Sequence, residues 1–536
     1  MATQFDENEV LFSEDDPNYQ ATLIDTGIPP PRLYELARSN TNHRVNNRQQ
    51  HQSQQYQHQH HNQHHNQHHN HHHHHNQHHS QLHNQHHSQQ HQYQNQQMMQ
   101  TGVGSSNMRD NVDQRRLPST DARKHSYRVD IRRRGPEFIN DLSSPNWLRM
   151  ASDRDDPRGR QANSRLCDIA LVQEIDKLKA TLSNLLPPDA FETVCYQTNI
   201  HAGLLHNTSF VGASAVALGH IDFLSSVVSM YLEHDRSAAP FLFVDLGSEQ
   251  GGFSEYILWK AAGKPNPMAG DTESLAHGWY FDPHAYGSQG AGLPINEMHI
   301  QCDASRRLTV ISQTDVAKPG ITSETNIDAF VRQVQSELSE KRKQAAGIDL
   351  VVGESCYRQV DLAMDHEKGQ YAFTLAQIII ALQLLRFGGS FVFKIFDVTT
   401  PPTAEMLFIL GACFESMDIV RSPVIRPTSS ERYVVCKALK GDARWAALHM
   451  RTALTKINTG QFKLSHILSL TRVMEESVFI GSLKSANREI AQIQLSALRT
   501  ISEIASSGRQ VADTSVQQRN IAMRCLEEWG LLQFAK

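Results

Sequence analysis

The sequence has neither an excess of positive charge nor a long hydrophobic run, and each absence excludes a class of protein. Lys and Arg number 51 against 56 Asp and Glu, a formal net charge of -5. This balance predicts no general affinity for polyanions, so binding to nucleic acid would need a local basic surface. No apolar run approaches the roughly 20 residues of a membrane span, and the N-terminus MATQFDENEV does not resemble a signal peptide. We therefore expect a soluble intracellular protein that does not contact a membrane.

Cysteine is also scarce, and its distribution excludes two kinds of stabilising site. Seven cysteines are scattered over 536 residues, and none stands in CxxC spacing. An odd, irregularly spaced set argues against a disulfide framework and against a structural zinc. A histidine-rich tract is present and could bind metal adventitiously, but it contains neither cysteine nor carboxylate. We predict no dedicated metal site.

Composition divides the chain into five segments. They are an acidic N-terminus (1–42), a tract of almost only His, Gln and Asn (43–100), a basic linker (101–163), a folded domain (164–440) and a helical extension (441–536). The first two bury too little apolar area to offset the entropy of ordering, so we expect them to be disordered. The linker contains the run RRR at residues 132–134. It is a nuclear-import signal, an RNA-contacting arm or a plain solvated linker.

Two helical segments open the folded domain. RLCDIALVQEIDKLKATLSNLL, residues 165–186, has apolar residues at helical spacing and is expected to end at Pro187 and Pro188. NTSFVGASAVALGHIDFLSSVVSMYLEH, residues 207–234, is expected to be a second helix. Its cap-like residues, Asn207, Thr208 and Ser209, stand at its start.

After residue 240, short apolar segments alternate with helical ones. Strands are predicted at residues 241–247, 278–283, 298–303, 348–354, 389–396 and 432–439. Continuously apolar strands that alternate with helices predict an α/β fold, with a mostly parallel sheet covered by helices on both faces. Ligands in such sheets bind beyond the carboxyl ends of the strands, so the functional residues are sought there.

Charged residues stand at the ends of these predicted strands. Asp245 ends the first strand and Asp282 the second, Glu354 closes LVVGE, and Glu431 precedes RYVVCK. Lys394 lies within the apolar strand FVFKIF. It must reach the rim of the sheet or pair with a carboxylate, because an unpaired buried ammonium is costly. Glu354 and Glu431 are its candidate partners.

The stretch FVDLGSEQGGFSEYILW joins a buried strand to a helix through a glycine turn. Turns of this kind cradle nucleotide-like ligands because backbone N–H groups can approach an anionic group closely. Gly247, Gly251 and Gly252 suit a tight turn, but Glu249 and Gln250 stand where small, uncharged residues are expected. The carboxylate of Glu249 either repels an anionic ligand group or points outward.

Three strings, in this order and spacing, carry a resemblance to a known family. DLGSEQGGFSEYILW, FVFKIFDVTTP and RPTSSERYVVCK resemble the FtsJ/RrmJ-type ribose 2'-O-methyltransferases. The sequence is most similar to the eukaryotic enzymes that act on the first transcribed nucleotide of capped mRNA. The resemblance covers the chain from about residue 165 to the C-terminus. It implies a Rossmann-like methyltransferase fold, S-adenosylmethionine as cofactor and capped mRNA or another RNA as partner. It also implies a nuclear location, with the cytoplasm as an alternative.

The resemblance also assigns cofactor contacts. It gives the turn residues Asp245, Gly247, Gly251 and Gly252 to the cofactor loop. Asp282 would hold the cofactor ribose hydroxyls, and Asp315, in QTDVAKPG, matches the family position near the adenine. For both aspartates, capping of a turn is the alternative role.

The family uses a Lys-Asp-Lys-Glu tetrad, which this chain matches only in part. Lys394 falls on the second lysine and Glu431 on the glutamate, while Glu354 replaces the aspartate with a side chain one methylene longer. The first lysine falls on Ala217, and residues 180–259 contain no lysine at all. The resemblance therefore implies a degenerate catalytic site.

A ribose hydroxyl is a poor nucleophile, so it must be oriented and relieved of its proton by a tuned base. Without the first lysine, we predict a pseudoenzyme of this family, with lost or strongly weakened activity and a surface for capped RNA or a protein. The alternative is an active cap ribose 2'-O-methyltransferase with a rebuilt site. His220, one helical turn beyond Ala217, is the nearby substitute base if it is not simply a core histidine.

Overall fold

The computed structural model describes twelve ranges of the chain. These are residues 126–132, 164–206, 208–234, 240–262, 276–281, 307–311, 320–341, 347–355, 366–460, 466–468, 470–508 and 511–535. All of them fall within one unit, Arg116–Lys536. The segments 1–42 and 43–100, expected to be disordered, lie outside the described residues.

An eight-stranded sheet organises these residues, in the order β1-β7-β8-β6-β5-β2-β3-β4. The strands from β6 to β4 pair in parallel, whereas β8 runs antiparallel to β6 and β7. The expected mostly parallel sheet is confirmed. The strands are β1 (Ser126–Arg128), β2 (Phe241–Leu246), β3 (Ala276–Phe281), β4 (Leu308–Ile311), β5 (Ile348–Gly353), β6 (Leu385–Ile395), β7 (Phe414–Val420) and β8 (Arg432–Leu439).

Helices cover both faces of the sheet. They are α1 (Ile169–Leu185), α2 (Pro188–Thr198), α3 (Gly203–His206), α4 (Ala213–Ser225), α5 (Ser229–His234), α6 (Gly252–Ala262), α7 (Glu324–Lys341), α8 (His366–Leu384), α9 (Pro401–Cys413), α10 (Arg444–Asn458), α11 (Leu470–Glu475), α12 (Ser477–Ser507) and α13 (Ser515–Glu528). In the ranges above, none of these helices combines the length and hydropathy of a membrane span.

Successive residues of the strands alternate between two hydrophobic clusters, one on each face of the sheet. Leu242 and Val244 pack in the cluster that includes α7, α8 and α9, whereas Phe243 packs in the cluster that includes α4, α6 and α13. Val352 and Val392 belong to the second cluster. Because side chains alternate along a strand, the polar residues two positions further on, at the ends of β5 and β6, face α4 as well.

The expected capping of the helix over residues 207–234 is wrong. Gly212 is the N-cap of α4 and makes no side-chain capping bond. Both the amide and the hydroxyl of Ser209 donate instead to the carbonyl of Phe534, at 2.8 and 3.2 Å. The C-terminal end of the chain thus holds the segment that leads into α4.

The same segment is also two helices rather than one. Ser226 takes the left-handed conformation, with φ of 54°, and ends α4. Asp222 then accepts hydrogen bonds from the amides of Val228 and Ser229 at 2.7 and 2.9 Å, which caps the start of α5.

Strands β1, β4 and β7 were not expected from the sequence. β1 pairs with β7, with Ser126 opposite Val420, and the residues after it bury Val129 and Ile131 in the core. Residues 126–132, which lie in the segment predicted as a basic linker, thus include a strand of the sheet. The strand predicted at residues 298–303 lies outside the described residues.

Candidate functional site

The carboxyl ends of β2, β5 and β6 meet at one edge of the sheet. Parallel pairing puts Leu246 opposite Gly353, and Gly353 opposite Phe393. The residues that follow, Glu354 and Lys394, are neighbours, with Nζ of the lysine 3.6 Å from Oε1 of the glutamate. Both side chains are mostly buried, at 6% and 12% exposure. The structure thus brings these two predicted site residues together.

Glu354 accepts hydrogen bonds from three further groups on separate elements. The hydroxyl of Tyr433 on β8 donates to Oε1 at 2.7 Å, the hydroxyl of Ser214 on α4 donates to Oε2, and the backbone N–H of Glu249 donates to Oε2 at 3.2 Å. Burial disfavours the ionised carboxyl, but Lys394 and these donors outweigh burial, so the pKa of Glu354 lies below its ordinary value. An ionised carboxylate therefore links the two strands, the glycine loop and α4.

Glu431 lies at the same edge of the sheet, directly before β8, the strand that pairs antiparallel with β6. Lys394 lies opposite Tyr433 across β6 and β8, so Glu431, two residues before the tyrosine, is a diagonal neighbour of the lysine. The guanidinium of Arg421 donates to the backbone carbonyl of Glu431 at 3.0 Å and holds this turn. Burial raises the pKa of Glu431 above its ordinary value; Lys394 opposes that rise, and the charge of Glu354 adds to it.

The environment therefore separates the pKa values of the two carboxyls beside Lys394. That of Glu354 is lowered and that of Glu431 is raised. A separation of this kind is common where carboxyls take different acid and base roles. Lys394 lies 3.6 Å from Glu354, and its charge is one of the causes that lower the pKa of that carboxyl.

The glycine loop keeps a tight turn in spite of its unusual residues. Gly247 and Gly251 both have φ of 72°, and Gln250 has φ of 52°. A Cβ on Gly252 would lie 2.9 Å from the backbone nitrogen of Ala215, so a glycine lets α6 start against α4. Glu249 is exposed. Whether its carboxylate faces the ligand or points outward stays a prediction.

Asp245, at the end of β2, accepts four hydrogen bonds from residues of the loop and of the start of α6. Its Oδ1 accepts the amide of Ser248 at 2.9 Å, and its Oδ2 accepts the hydroxyls of Ser248 and Ser254 at 2.7 Å each. The amide of Ser254 adds a fourth bond at 3.1 Å. Burial raises the pKa of Asp245 to about 6, although the serine donors lower it. The observed role is to anchor the loop, while contact with a cofactor stays a prediction.

Helix α4 does not supply the missing base. Ala217 lies in α4 and is buried, three residues after Ser214 and thus on the same face of the helix. His220 is fully buried, and its ring centroid lies 4.6 Å from that of Trp529. Of the two roles considered for His220, packing in the core matches this position.

Two predicted site residues, Asp282 and Asp315, lie outside the described residues. Sequence reasoning missed three residues of the site, Ser214, Tyr433 and Arg421. A serine in the first turn of a helix and a tyrosine in an apolar strand are ordinary in sequence, so only the strand register and the helix packing reveal them. Within the described ranges, no group of three His, Cys, Asp or Glu side chains is placed to hold a metal ion.

The loop amides are the groups that would hold the anionic end of the implied cofactor, S-adenosylmethionine. Here the amide of Glu249 donates to Glu354, and the amide of Ser248 donates to Asp245. The backbone shape of the loop fits a nucleotide-like ligand, but its occupied donors do not fit a further carboxylate.

The C-terminal extension forms hydrogen bonds with residues next to the site. Arg432, next to Glu431, is buried and donates to Oδ1 of Asn487 on α12 at 2.8 Å. Asn487 in turn donates to the carbonyls of Val398 and Leu166, at 2.6 and 3.0 Å. The extension is thus hydrogen-bonded to the segments next to Lys394 and Glu431.

Comparison with known proteins matches the central part of the chain to one family. The family described as FtsJ-like methyltransferase matches residues 228–439. This range includes β2 to β8 and the residues Lys394, Glu354 and Glu431. It begins after Ala217, so the family match does not cover the position of the first lysine.

Individual relatives extend the match at low identity. The cap-specific mRNA (nucleoside-2'-O-)-methyltransferase 1 of Ailuropoda melanoleuca is 25% identical over 352 residues, which is 61% of this chain and 38% of the relative. The protein of the same description from Dictyostelium discoideum is 25% identical over 380 residues, 68% of this chain and 46% of the relative. The chain thus matches less than half the length of either relative. A Plasmodium falciparum protein described as a ribosomal RNA methyltransferase has a structure 15% identical, with a TM-score of 0.28, that covers 42% of this chain and 97% of that protein.

Proposed function

Because the chain carries an FtsJ-like methyltransferase domain, we propose that it is an mRNA cap 2'-O-methyltransferase-family protein whose methyl transfer is lost or strongly weakened. One observation supports this proposal above the others. Helix α4 has the buried Ala217 at the position where the resemblance expects the first lysine, and the nearby carboxylate of Glu354 is already bonded to Ser214, Glu249 and Tyr433.

The expected loss follows from the groups that remain. Removing a positioned acid or base typically costs about 100- to 10,000-fold in rate, or about 3 to 5 kcal/mol of barrier. Lys394 remains, but its Nζ is paired with the carboxylate of Glu354 at 3.6 Å. The chain's own residues can therefore orient a hydroxyl better than they can deprotonate it.

The partners follow from the family. We propose that the domain contacts capped mRNA or another RNA in the nucleus, with the cytoplasm as the alternative, and that S-adenosylmethionine is the cofactor that the resemblance implies. The competing function is an active cap ribose methyltransferase with a rebuilt site. The separated pKa values of Glu354 and Glu431 around Lys394 favour that alternative, because acid and base roles need such a separation.

A transfer assay distinguishes the two. The full chain is incubated with radiolabelled S-adenosylmethionine and RNA whose cap-adjacent ribose is unmethylated, beside the Lys394→Ala variant. We expect wild type and variant to give the same background incorporation. Robust transfer by the wild type that Lys394→Ala abolishes would overturn the proposal and establish the active alternative.

A further inference from the structure

We propose that Glu354 is an internal anion that occupies the donor position of the glycine loop, so that this chain excludes the anionic end of S-adenosylmethionine while its nucleoside end can still bind. The inference rests on the proposed function and gives it a physical cause. It concerns the binding of the ligand, whereas the proposed function concerns the transfer of the methyl group.

The backbone amides of the loop are directed into the protein. A loop at the start of a helix binds an anion when its N–H groups point at the ligand. Here five amides of the loop and of the start of α6 have an internal acceptor within 3.2 Å, either a carboxylate, a carbonyl or a hydroxyl. The amides concerned are those of Ser248, Glu249, Gly251, Phe253 and Ser254.

The length of the glutamate side chain makes this arrangement possible. Glu354 follows β5, and its backbone amide lies 3.4 Å from the carbonyl of Leu246 at the end of β2. From there its carboxylate reaches Ser214 on α4 and Glu249 in the loop with the same oxygen, Oε2. An aspartate is one methylene shorter at this position. With the exchange of aspartate for glutamate, the carboxylate therefore contacts both α4 and the loop.

Two neighbouring residues are consistent with this exchange. Ser214 and Ala217 share one face of α4, so the serine hydroxyl replaces a lysine as the group from that helix that contacts the carboxylate. Tyr433 and Lys394 contact the other oxygen, Oε1. Both oxygens of Glu354 thus have partners, and the negative charge is held in place at the loop.

A second carboxylate brought to this loop would meet like charge and would find the Glu249 amide taken. Glu249 itself is exposed. The anionic end of the cofactor must therefore displace Glu354, which lowers the apparent affinity by the fraction of molecules in which Glu354 has left the loop. A ligand without a carboxylate escapes this cost.

Calorimetric titration of the full chain with two probes tests the inference. S-adenosylhomocysteine carries the carboxylate, and 5'-methylthioadenosine lacks it. Replacing Glu354 by Gln keeps the size of the side chain and removes its charge. We expect Glu354→Gln to bind S-adenosylhomocysteine about tenfold or more tightly than wild type, a coupling of ordinary size, and to bind methylthioadenosine as wild type does.

The matched control is Glu405→Gln. Glu405 is also a buried carboxylate that accepts backbone amides, those of Ile467 and Leu468, but it lies on α9. It should leave both affinities unchanged. Equal or weaker binding of S-adenosylhomocysteine by Glu354→Gln overturns the inference. An equal gain in affinity for S-adenosylhomocysteine in Glu354→Gln and Glu405→Gln overturns it as well.

Wild type alone also decides the question if Glu354→Gln does not fold, as its thermal melt would reveal. The inference requires methylthioadenosine to bind wild type at least as tightly as S-adenosylhomocysteine, and the reverse order overturns it. Tight binding of S-adenosylhomocysteine without methyl transfer to RNA would refute this inference and leave the proposed function intact. Methyl transfer by the wild type would refute the proposed function.

Discussion

Tyr433 lies directly opposite Lys394 across the β6/β8 ladder, and both side chains reach the same oxygen of Glu354, the tyrosine hydroxyl at 2.7 Å and the lysine Nζ at 3.6 Å. The antiparallel insertion of β8 beside β6 produces this relationship. It places a neutral donor and a cation on one buried carboxylate, which explains how that carboxylate stays ionised in spite of its burial.

Removing the tyrosine hydroxyl should destabilise the protein measurably. We expect Tyr433→Phe to lower the free energy of unfolding by about 1.5 to 3 kcal/mol, because a hydrogen bond to a charged group is lost. Urea unfolding followed by fluorescence measures it. Tyr231→Phe is the control, since that hydroxyl bonds the neutral Ser390 Oγ at 2.9 Å and should cost about 1 kcal/mol. Equal losses in the two variants would contradict the assigned charge on Glu354.

Restoring the family lysine alone should restore little activity. Ala217→Lys would meet Glu354 while that carboxylate is still bonded to Ser214 and the loop, so we expect less than about tenfold gain in methyl transfer. Ala217→Lys together with Glu354→Asp should gain more than the two single changes combined, because such residues act as a unit. Transfer to capped RNA measures each variant. Phe223→Lys, at an exposed position of α4, controls for added charge. Full recovery by Ala217→Lys alone would contradict the role given to Glu354.

A pH dependence of stability is expected from Glu367, at the start of α8. Its carboxylate accepts the amides of Thr399 and Thr400 at about 3.0 Å and both of their hydroxyls at 2.6 Å. Burial nevertheless raises its pKa from 4.5 to about 7. As the pH rises, the Glu367 carboxyl therefore loses its proton at a lower pH in the unfolded chain than in the folded protein. The resulting stability is present in full below pH 4.5 and is lost as the pH rises through 7, by about 3 kcal/mol.

The measurement is urea unfolding at a series of pH values from 4.5 to 8. Glu367→Gln should flatten the decline over this range, since the amide does not titrate. Glu174→Gln is the control, because that carboxyl lies on the surface of α1, paired with Arg499. If wild type and Glu367→Gln show the same slope, the raised pKa of Glu367 is refuted.

The C-terminal extension should contribute to the stability of the site. Asn487→Ala removes one acceptor from the buried Arg432 and leaves the carbonyls of Leu166 and Val398 without this donor. We expect a loss of about 3 kcal/mol in the free energy of unfolding, the sum expected for more than one broken buried bond. Asn458→Ala, an exposed residue with one bond to the carbonyl of Thr322, should cost at most about 0.5 kcal/mol. Similar losses in the two variants would show that the extension is not coupled to the strand ends.

Much of the fold could be predicted because its central strands carry their signal locally. β2, β5 and β8 are mostly apolar, and their predicted bounds differ from the observed ones by at most one residue. β1 was missed because three residues form a strand only through pairing with β7, and β7 was missed because its sequence, FESMDIV, includes Glu415 and Asp418. A charged residue at a strand position signals a loop unless the neighbouring strand is known.

The sequence by itself determined which groups the candidate site has and which it lacks. Lys394, Glu354 and Glu431 follow from the strand pattern and the resemblance, and the absence of lysine from residues 180–259 needs no structure. Only the tertiary structure decided what Glu354 contacts. Its bonds to Ser214, Glu249 and Tyr433 join residues 140, 105 and 79 positions apart in the chain. Such bonds depend on strand register and on how α4 packs against the loop, which the packing of the whole core sets and no local pattern records.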